Sequence, residues 1–575
     1  MKRSPIFCYA LMCILMIPAG RTNCVFAGID STAFVSNPIL ARPTDKSITI
    51  NVVPKKAYQI YFEYGTSSMI YTNTTETKNS AANIPISFVI NNLIPNTRYY
   101  YRIRYQGTGS STFIIGEEHS FATQRAKGSK FKFGMQADSH LYDKKGIPVM
   151  MNVTMQNQNS DSLDFILDLG DTFGDDHTPT TTTQADMNQL HLDFLPYIGQ
   201  VCHSAPFFFC LGNHEGERGY YLLQTPPNNI GVYGTLARNY YYSNPIPDGF
   251  YSGNTNAEQF GMDLPQNYYA WEWGDALFVV LDVYRNTISS AKPGNWDWTL
   301  GATQYNWLSE TLNGSKAKFK FVFAHHVRGE GRGAALLAKN FEWGGYDDNG
   351  TWNFTGKRPG WELPIHQLMI QNGVNVFFQG HDHLFAKEDL DGLVYQEVPM
   401  PSDSSYMIGM LANADAYTAN QINGTGYIRV TVCADSATVD YVKSYLPKDT
   451  SETQRNREVA FTYSVKPSST PVQSEVNLSK EFRLEQNYPN PFNPSTEIKF
   501  SIAEAGHATL RVMDVLGREI ATLFDGYKQQ GEYVYNFSSK CSHGGNLAVQ
   551  IPSGIYFYQL RVNSSVFTKK MILMK

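Results

Sequence analysis

Five apolar segments, each long enough for one β-strand, are followed by short clusters of Asp, Asn, Glu and His. The clearest is residues 207–211, after which Gly212 introduces Asn213, His214 and Glu215. An apolar run of this length predicts a strand that is buried on both faces. In open α/β sheets, ligands bind at the carboxyl ends of such strands. The other four are residues 131–135 before Asp138-Ser139-His140, 165–169 before Gly170-Asp171, 319–324 before His325-His326, and 374–378 before Gly380-His381-Asp382-His383.

The residue types in these clusters indicate a metal site. A single cluster is equally consistent with a helix N-cap or an ordinary loop, but five at predicted strand ends favour one shared site. Carboxylate oxygen with imidazole nitrogen, without thiolate, favours Zn, Mn or Fe over Ca. Two such cations would hold the attacking and leaving oxygens of an in-line displacement, and their excess positive charge would attract phosphate.

In this order, the Asp-x-His, Gly-Asp, Gly-Asn-His-Glu, Val-x-x-His and Gly-His-x-His patterns resemble those of calcineurin-like metallophosphoesterases. With the β-patterned region before them, the chain resembles purple acid phosphatases. The resemblance implies a four-layer α/β domain that hydrolyses phosphate esters with two metal ions, of Fe, Mn or Zn. It implies one metal held by Asp138, His140, Asp171 and His383, and a second by Asp171, Asn213, His325 and His381, with Asp171 bridging.

The same resemblance implies roles beyond metal binding. A hydroxide that bridges the metals would attack phosphorus, and His214, oriented by Glu215, would protonate the leaving group as general acid. Asn213 and His326 are expected to contact the phosphate. Arg218 and Arg328 are further candidates for that contact, although a solvated surface position is favoured for both.

One position departs from the purple acid phosphatase pattern. There a Tyr follows Gly-Asp-x-x and gives the iron site its colour, whereas this chain has Gly174 at that position. His140 offers the alternative ligand. A colourless enzyme is therefore expected, with the identity of its metals left open.

The remaining chain divides into segments of different pattern. Residues 1–27 combine a basic start, an apolar stretch and a small-residue end, which predicts a cleaved signal peptide, with a signal anchor as the alternative. Residues 28–126 show alternating strands and a Leu-x-Pro-x-Thr-x-Tyr pattern that resembles fibronectin type III domains. Residues 127–446 form the predicted metallophosphoesterase domain, with an irregular insertion at 216–267, and residues 447–480 read as a polar linker.

Residues 481–575 are β-patterned and begin with repeated prolines, Tyr488-Pro489-Asn490-Pro491-Phe492-Asn493-Pro494. With the turn at 514–519 and the segment 553–557, they resemble the type A sorting domain of the bacterial type IX secretion system. The resemblance implies export through the periplasm by that machinery to a secreted or cell-surface location. The alternative is a terminal β-domain that binds carbohydrate.

Composition excludes several other partners. The formal net charge is −5 and no basic stripe is present, so no nucleic-acid surface is expected. No segment of the mature chain predicts a transmembrane helix.

Cys202 and Cys210 are compatible with a disulfide or with two core residues.

The favoured function is a secreted phosphoesterase, with phosphate monoesters slightly preferred as substrates. Hydrolysis of phosphodiesters or nucleotides is the alternative within the family. A non-catalytic surface adhesion protein is the alternative outside it. Every expected ligand position carries a residue that is able to bind metal, which disfavours a degenerate site.

Overall fold

The computed structural model describes residues 30–107, 109–174, 176–409, 414–468, 481–504, 506–528, 531–538, 540–541, 549–563 and 565–574. The predicted signal peptide at 1–27 lies outside these ranges. The chain divides into two compact units, Met1–Ser468 and Ser469–Lys575.

The first unit begins with a β-sandwich. Its two sheets have the strand orders β1-β2-β6 and β4-β3-β7-β8, with β5 also paired to β3. Alternate residues of both sheets, such as Ile50 and Phe62, point into one apolar core because side chains alternate between the faces of a strand. The strands are β1 (Ile39–Ala41), β2 (Ile48–Val52), β3 (Tyr58–Gly65), β4 (Asn73–Thr74), β5 (Lys78–Asn79), β6 (Ile86–Ile90), β7 (Arg98–Gly107) and β8 (Ile114–Ala122).

The Leu-x-Pro-x-Thr-x-Tyr pattern forms the turn that it predicts. The hydroxyl of Tyr99 accepts a hydrogen bond of 2.9 Å from the backbone N–H of Ile94, five residues upstream. This is the geometry of a tyrosine corner, which fixes the chain as it enters β7.

The centre of the first unit contains two sheets and eight α-helices among its described residues. Their order along the chain is β9 (Phe131–Gln136), α1 (Pro148–Asn159), β10 (Phe165–Asp168), α2 (Gln184–Cys202), β11 (Phe207–Phe209), α3 (Gly219–Leu222), α4 (Ile230–Tyr241), β12 (Ser252–Gly253), β13 (Tyr269–Trp273), β14 (Ala276–Val280), α5 (Gly301–Gly314), β15 (Phe319–Phe323), α6 (Phe341–Gly344), α7 (Phe354–Lys357), α8 (Ile365–Gln371), β16 (Val376–Gln379), β17 (Ala386–Leu390), β18 (Leu393–Glu397), β19 (Thr425–Val432), β20 (Ala437–Ser444) and β21 (Val459–Val465).

The two central sheets pack face to face. One has the order β11-β10-β9-β19-β20-β21, and the other β12-β13-β14-β15-β16-β18-β17. Strands β9, β10 and β11 are parallel to one another, and so are β14, β15, β16 and β18. Between the sheets, the ring of Phe133 lies edge-on to that of Phe278 with centroids 5.1 Å apart. The apolar runs in the sequence fill this interface.

Helices cover the outer face of each sheet. On the first sheet, Asn157 of α1 donates to the Ser444 hydroxyl at the end of β20. On the second, Lys320 of β15 donates through Nζ to the carbonyl of Leu312 in α5, over 2.7 Å. These layers confirm the predicted four-layer α/β domain, and they explain why strands such as β14 and β15 are buried at every residue.

The insertion at 216–267 is more regular than its sequence indicates. It contains α3, α4 and β12, and the side chain of Asn229 caps α4 by accepting from the N–H of Val232. A buried ion pair joins Glu217 to Arg238 of α4, and Arg285, outside the insertion, donates to Glu217 and to Thr235 of α4. The insertion is therefore an ordered part of the domain in this structure.

The predicted linker starts too early. Residues 459–465 form β21, which pairs with β20 and extends the first sheet. The N–H of Ser468 then bonds to the carbonyl of Lys318 over 2.7 Å. The alternating apolar residues Phe461, Tyr463 and Val465 pack against the central core, so residues 447–468 belong to the first unit.

The second unit is all β in its described part, with one apolar core between two sheets of order β22-β23-β26 and β25-β24-β29-β30. A third sheet pairs β27 with β28. The strands are β22 (Arg483–Leu484), β23 (Ser495–Ile502), β24 (Gly506–Met513), β25 (Glu519–Lys528), β26 (Gly531–Ser538), β27 (Lys540–Cys541), β28 (Val549–Gln550), β29 (Gly554–Val562) and β30 (Ser565–Leu573).

Two further findings concern the described residues as a whole. Cys202 and Cys210 are buried free thiols, which supports two core residues over a disulfide. In the ranges that the structure covers, no helix is long and apolar enough to cross a membrane.

Candidate metal centre

The five polar clusters meet at one edge of the domain. Because β9, β10 and β11 are parallel neighbours, as are β15 and β16, the carboxyl ends within each set lie side by side. Two hydrogen bonds join the sets: the N–H of His381 donates to Asp138 Oδ2 over 2.8 Å, and His325 Nδ1 lies 2.8 Å from the carbonyl oxygen of Leu169. The topology therefore gathers residues that are up to 245 positions apart.

The first cluster consists of Asp138, His140 and His383, which are all buried. Each offers a ligand atom, and these atoms lie within 4.8 Å of one another. The Nε2 atoms of His140 and His383 are 3.1 Å apart, and His383 Nε2 is 3.5 Å from Asp138 Oδ1. Two unprotonated ring nitrogens at this separation repel each other unless a proton or a cation lies between them.

The second cluster consists of Asp171, His325 and His381, and it is equally buried. His325 Nε2 lies 3.2 Å from Asp171 Oδ2 and 3.1 Å from the amide oxygen of Asn213. Asn213 thus brings a neutral amide oxygen next to this cluster.

Asp171 stands between the clusters. Its Oδ2 atom is 4.0 Å from His140 Nε2 in the first cluster and 3.2 Å from His325 Nε2 in the second. Burial favours the neutral acid, but His325 and His214 outweigh it and hold the pKa of Asp171 well below its ordinary value. An ionised carboxylate in this position can bridge two cations.

The arrangement of the donor atoms in the two clusters favours metal binding. Within the described residues, Asp138 Oδ1 and both ring nitrogens of His381 are buried without a hydrogen-bond partner. Nδ1 of His325 is committed to a carbonyl and Nδ1 of His140 faces Asp143 Oδ2 at 3.2 Å, so each ring presents Nε2 to the centre. Partners of this kind orient metal-bound histidines in proteins. The site's chemistry therefore fits two borderline cations.

Backbone conformation gives independent support. Five of the residues in the two clusters have positive φ, between 45° and 78°, a region that non-glycine residues rarely adopt. Such strain persists where the surrounding structure over-determines it, and it concentrates at functional sites. These residues are Asp138, His140, Asp171, His381 and His383.

Glu215 has a different role from the one expected. Its carboxylate accepts four backbone N–H groups, those of Gly212, Asp171, Thr172 and Phe173, over 2.6–3.1 Å. Both carboxylate oxygens are thus directed at backbone and not at the ring of His214, and they fasten the loop after β10 to the loop after β11. Glu215 is thus a buried clamp that fixes the positions of Asp171 and Asn213 relative to each other.

Asp176 is the acid that contacts the ring of His214. Its Oδ1 atom lies 2.5 Å from His214 Nδ1, and His214 Nε2 lies 3.9 Å from Asp171 Oδ2 at the centre. Burial disfavours the charged ring, but Asp171 and Asp176 outweigh it and raise the pKa of His214 to about 9. No sequence pattern identifies Asp176, because its partner, His214, is 38 residues away, beyond α2 and β11.

His326 is placed differently from the expectation of a phosphate contact. Its Nδ1 atom accepts the N–H of Arg328 over 3.1 Å, and its Nε2 lies 3.0 Å from the carbonyl oxygen of Gly333. Both ring nitrogens are therefore used, and burial lowers the pKa of His326 to about 4. We assign it to the support of its loop.

The two arginine candidates also differ from the expectation of solvated surface positions. Arg218 is 1% exposed, and it donates to the carbonyl of Asn213 and to Glu330. Arg328 is mostly buried, with its guanidinium 4.8 Å from the ring centroid of Phe341. Arg218 supports the Asn213 loop, whereas the contact with Phe341 does not place Arg328 at the centre.

Gly174 explains the missing tyrosine. A Cβ atom at this position would lie 1.7 Å from the carbonyl oxygen of His214 and 2.2 Å from Cα of Glu215. No side chain fits there without moving backbone. The loop after β10 therefore has a path that excludes a Tyr ligand at this position.

Comparison with known proteins agrees with this geometry. The family described as calcineurin-like phosphoesterase matches residues 131–385, and the family described as secretion system C-terminal sorting domain matches residues 486–574. No curated protein matches the chain.

Two solved structures share the fold. Purple acid phosphatase PPD1 from yellow lupin (Lupinus luteus) seeds aligns with a TM-score of 0.50 and 15% identity, over 75% of this chain and 74% of that chain. PhoD aligns with a TM-score of 0.53 and 16% identity, over 77% of this chain and 94% of that chain.

The family matches and the two buried Asp/His clusters lead to one conclusion. Residues 131–385 are a calcineurin-like phosphoesterase domain, which makes this protein a metal-dependent phosphoester hydrolase, and residues 486–574 are a secretion system C-terminal sorting domain.

Proposed function

We propose that the protein is a secreted phosphoesterase with two metal ions at the centre described above. The observation that carries the proposal is the pair of buried clusters that meet at Asp171. The proposed ligands of one metal are Asp138, His140, Asp171 and His383, and those of the other are Asp171, Asn213, His325 and His381.

The donor set favours Fe, Mn or Zn as the metals. When bound, such cations lower the pKa of a coordinated water to about 7 and stabilise charge on both the attacking and the leaving oxygen. The protein's own contribution is to hold the donors. Glu215 fixes the two loops that carry Asp171 and Asn213, and Asp143 orients His140.

We assign His214 the role of general acid. Asp176 holds its Nδ1, which leaves Nε2 directed at the centre, 3.9 Å from Asp171 Oδ2. From this position the ring can deliver a proton to the oxygen of the leaving group. Asp176 is a positioning residue because it acts through His214.

Charge favours an anionic phosphate ester as substrate. Two divalent cations bring four positive charges, and Asp138 and Asp171 neutralise two of them. A bridging hydroxide would neutralise a third, so the remaining charge attracts both a monoester dianion and a diester monoanion, and monoesters are the first candidate. Diester or nucleotide hydrolysis is the second candidate, and a non-catalytic adhesion protein is the least favoured, since every ligand position is filled and buried.

A direct test compares hydrolysis of p-nitrophenyl phosphate with that of bis(p-nitrophenyl) phosphate, with metal analysis of the same sample. We expect two equivalents of Fe, Mn or Zn and a higher kcat/KM for the monoester. Equal or higher efficiency on the diester would make the protein a phosphodiesterase. Absence of any hydrolysis by the metal-loaded protein would favour the adhesion protein.

We further propose that the metals give no tyrosinate colour. Gly174 leaves no space for a Tyr side chain, and the hydroxyl of nearby Tyr142 lies 3.1 Å from His140 Nδ1, on the side of the ring that faces away from the centre. The as-isolated protein should therefore lack a strong visible charge-transfer band. Observation of such a band would contradict this assignment.

We propose that the sorting domain directs export by the type IX secretion machinery to the medium or the cell surface. Catalysis and sorting would then lie in separate units. A chain that ends at residue 480 should retain phosphoesterase activity and accumulate in the periplasm. Normal secretion of that chain would contradict the sorting role.

A further inference from the structure

A third group of potential metal ligands lies outside the dinuclear centre. Asp176, His177 and His214 each offer a ligand atom, and these atoms lie within 4.8 Å of one another. None of the three belongs to the two clusters at Asp171. Two imidazoles and one carboxylate form a donor set that is typical of zinc sites.

Two acids flank the paired imidazoles of this group. The rings of His177 and His214 have centroids 4.9 Å apart, and Asp176 Oδ1 is 2.5 Å from His214 Nδ1. A second carboxylate oxygen, Oδ2 of Asp143, lies 3.7 Å from His177 Nε2.

Each acid also has one basic neighbour. Lys145 Nζ lies 2.8 Å from Asp143 Oδ2, and a guanidinium nitrogen of Arg218 lies 3.5 Å from Asp176 Oδ2. These positive charges lower the affinity for a cation, which is consistent with a weak site.

Access from solution differs from that of the buried centre. The side chain of His177 is 45% exposed, whereas that of Asp176 is 8% exposed. The group thus combines a held carboxylate with a histidine that solvent ions reach. This is the arrangement of a weak site that fills after the two buried ones.

We propose that Asp176, His177 and His214 form an inhibitory site for a third divalent cation, with Zn²⁺ as the best fit. A cation here takes His214 and Asp176 as ligands, so it removes the hydrogen bond that orients the general acid. The inhibition rests on the proposed function of His214, but the binding of the third ion does not.

The test uses the full-length protein with its buried centre already loaded. Zn²⁺ is titrated into the wild type, into His177→Ala, and into His507→Ala, a control in the sorting domain. Bound zinc is measured by equilibrium dialysis, and turnover is measured on an alkyl phosphate in the same samples. His177 is neither a proposed ligand of the two buried metals nor a proposed catalytic residue. Its replacement should therefore leave basal turnover unchanged.

We expect a third, weaker equivalent of zinc in the wild type and in His507→Ala, with loss of turnover as it binds. In His177→Ala the affinity for this equivalent should fall at least about tenfold, and inhibition should weaken in parallel. Equal third-site affinity in the wild type and His177→Ala, or no third equivalent in the wild type, would overturn the site. Loss of the third equivalent with unchanged inhibition would overturn the inhibitory role.

The proposed function fails separately. If the loaded wild type has no phosphoesterase activity but still shows a third equivalent that depends on His177, the third site stands and the hydrolase proposal falls.

Discussion

Replacement of Glu215 by Gln tests whether this residue clamps the site loops or orients the general acid. Each carboxylate oxygen accepts two backbone N–H groups: Oε2 those of Asp171 and Gly212, and Oε1 those of Thr172 and Phe173. A Gln side chain has one oxygen and one NH₂ group. In either orientation its NH₂ faces two N–H donors, which leaves them buried and unpaired.

The structure sets the size of the effect. An unsatisfied buried donor costs about 1–3 kcal/mol, so two of them predict a loss of about 2–6 kcal/mol in the free energy of unfolding. That is a large share of the roughly 5–15 kcal/mol that stabilises a typical domain. The clamp also sets the spacing of Asp171 and Asn213, so the variant should lose bound metal as well.

The assay is urea unfolding followed by tryptophan fluorescence. All eight tryptophans lie between residues 271 and 361, so the signal reports on the phosphoesterase domain and not on the sorting domain. Glu310→Gln, on an exposed position of α5, is the matched control and should change stability by less than about 0.5 kcal/mol.

The opposite pattern would refute the clamp. If Glu215→Gln unfolds at the wild-type urea concentration, keeps both metals and loses turnover only on alkyl phosphates, then Glu215 orients His214 after all. The assignment of Asp176 to that role would fall with it.

Asp176→Asn should keep both metals but lower kcat on alkyl phosphates by about 10²–10⁴-fold, the usual contribution of general acid catalysis, with a smaller loss on p-nitrophenyl phosphate because that leaving group needs little protonation. Equal losses on both substrates in steady-state assays would argue against a positioning role. At the contact between the β-sandwich and α2, the rings of His119 and His203 lie 4.3 Å apart, and burial lowers the pKa of His119 to about 3 and that of His203 to about 4. Since both histidines titrate near pH 6.5 when unfolded, the unfolded state binds more protons between about pH 6.5 and 4, and each ring should cost up to about 1.4 kcal/mol per pH unit as the pH falls. His119→Phe should remove one such contribution from the acid side of the stability profile; an unchanged slope in urea titrations from pH 6.5 to 4.5 would contradict the buried pair.

The sequence predicts what depends on local pattern together with a general rule of topology. Residues 207–211 are apolar enough to read as a buried strand, and the rule that parallel strands end at one edge then brings Asn213 near Asp171. The order of the clusters carries the family resemblance, which supplies the division of ligands between two metals. Both predictions follow from the order of residues in the sequence, without any interatomic distance.

What the sequence does not predict are contacts that depend on the path of a loop. Glu215 follows His214 directly, so the sequence favours it as the orienting acid, but its side chain turns to backbone N–H groups of another loop. Asp176 reaches His214 because the chain passes so close at Gly174 that no Cβ fits. Arg218 lies in a polar stretch, which favours a solvated position. In the fold it is buried against Glu330, which is 112 residues away and cannot be inferred from local sequence.

Local sequence does not predict secondary structure where composition and pattern disagree. Helix α4 contains several Tyr, Asn and Gly residues, which have weak helix propensity, and it is stabilised by the Asn229 cap and the buried Glu217–Arg238 pair. Strand β21 lies in a polar segment, but its alternating apolar residues pack on the central core. In both elements tertiary contacts outweigh local preference.

Hydrolysis of phosphate esters should depend on metals held at the two clusters joined by Asp171. The decisive variant is His381→Ala, with metal content and hydrolysis of p-nitrophenyl phosphate measured on the same full-length protein. His381 contributes to one cluster alone, so we predict that the variant loses one of two metal equivalents and that its kcat/KM falls at least about 100-fold. A variant that keeps two metals and full activity would show that these clusters do not hold the catalytic metals.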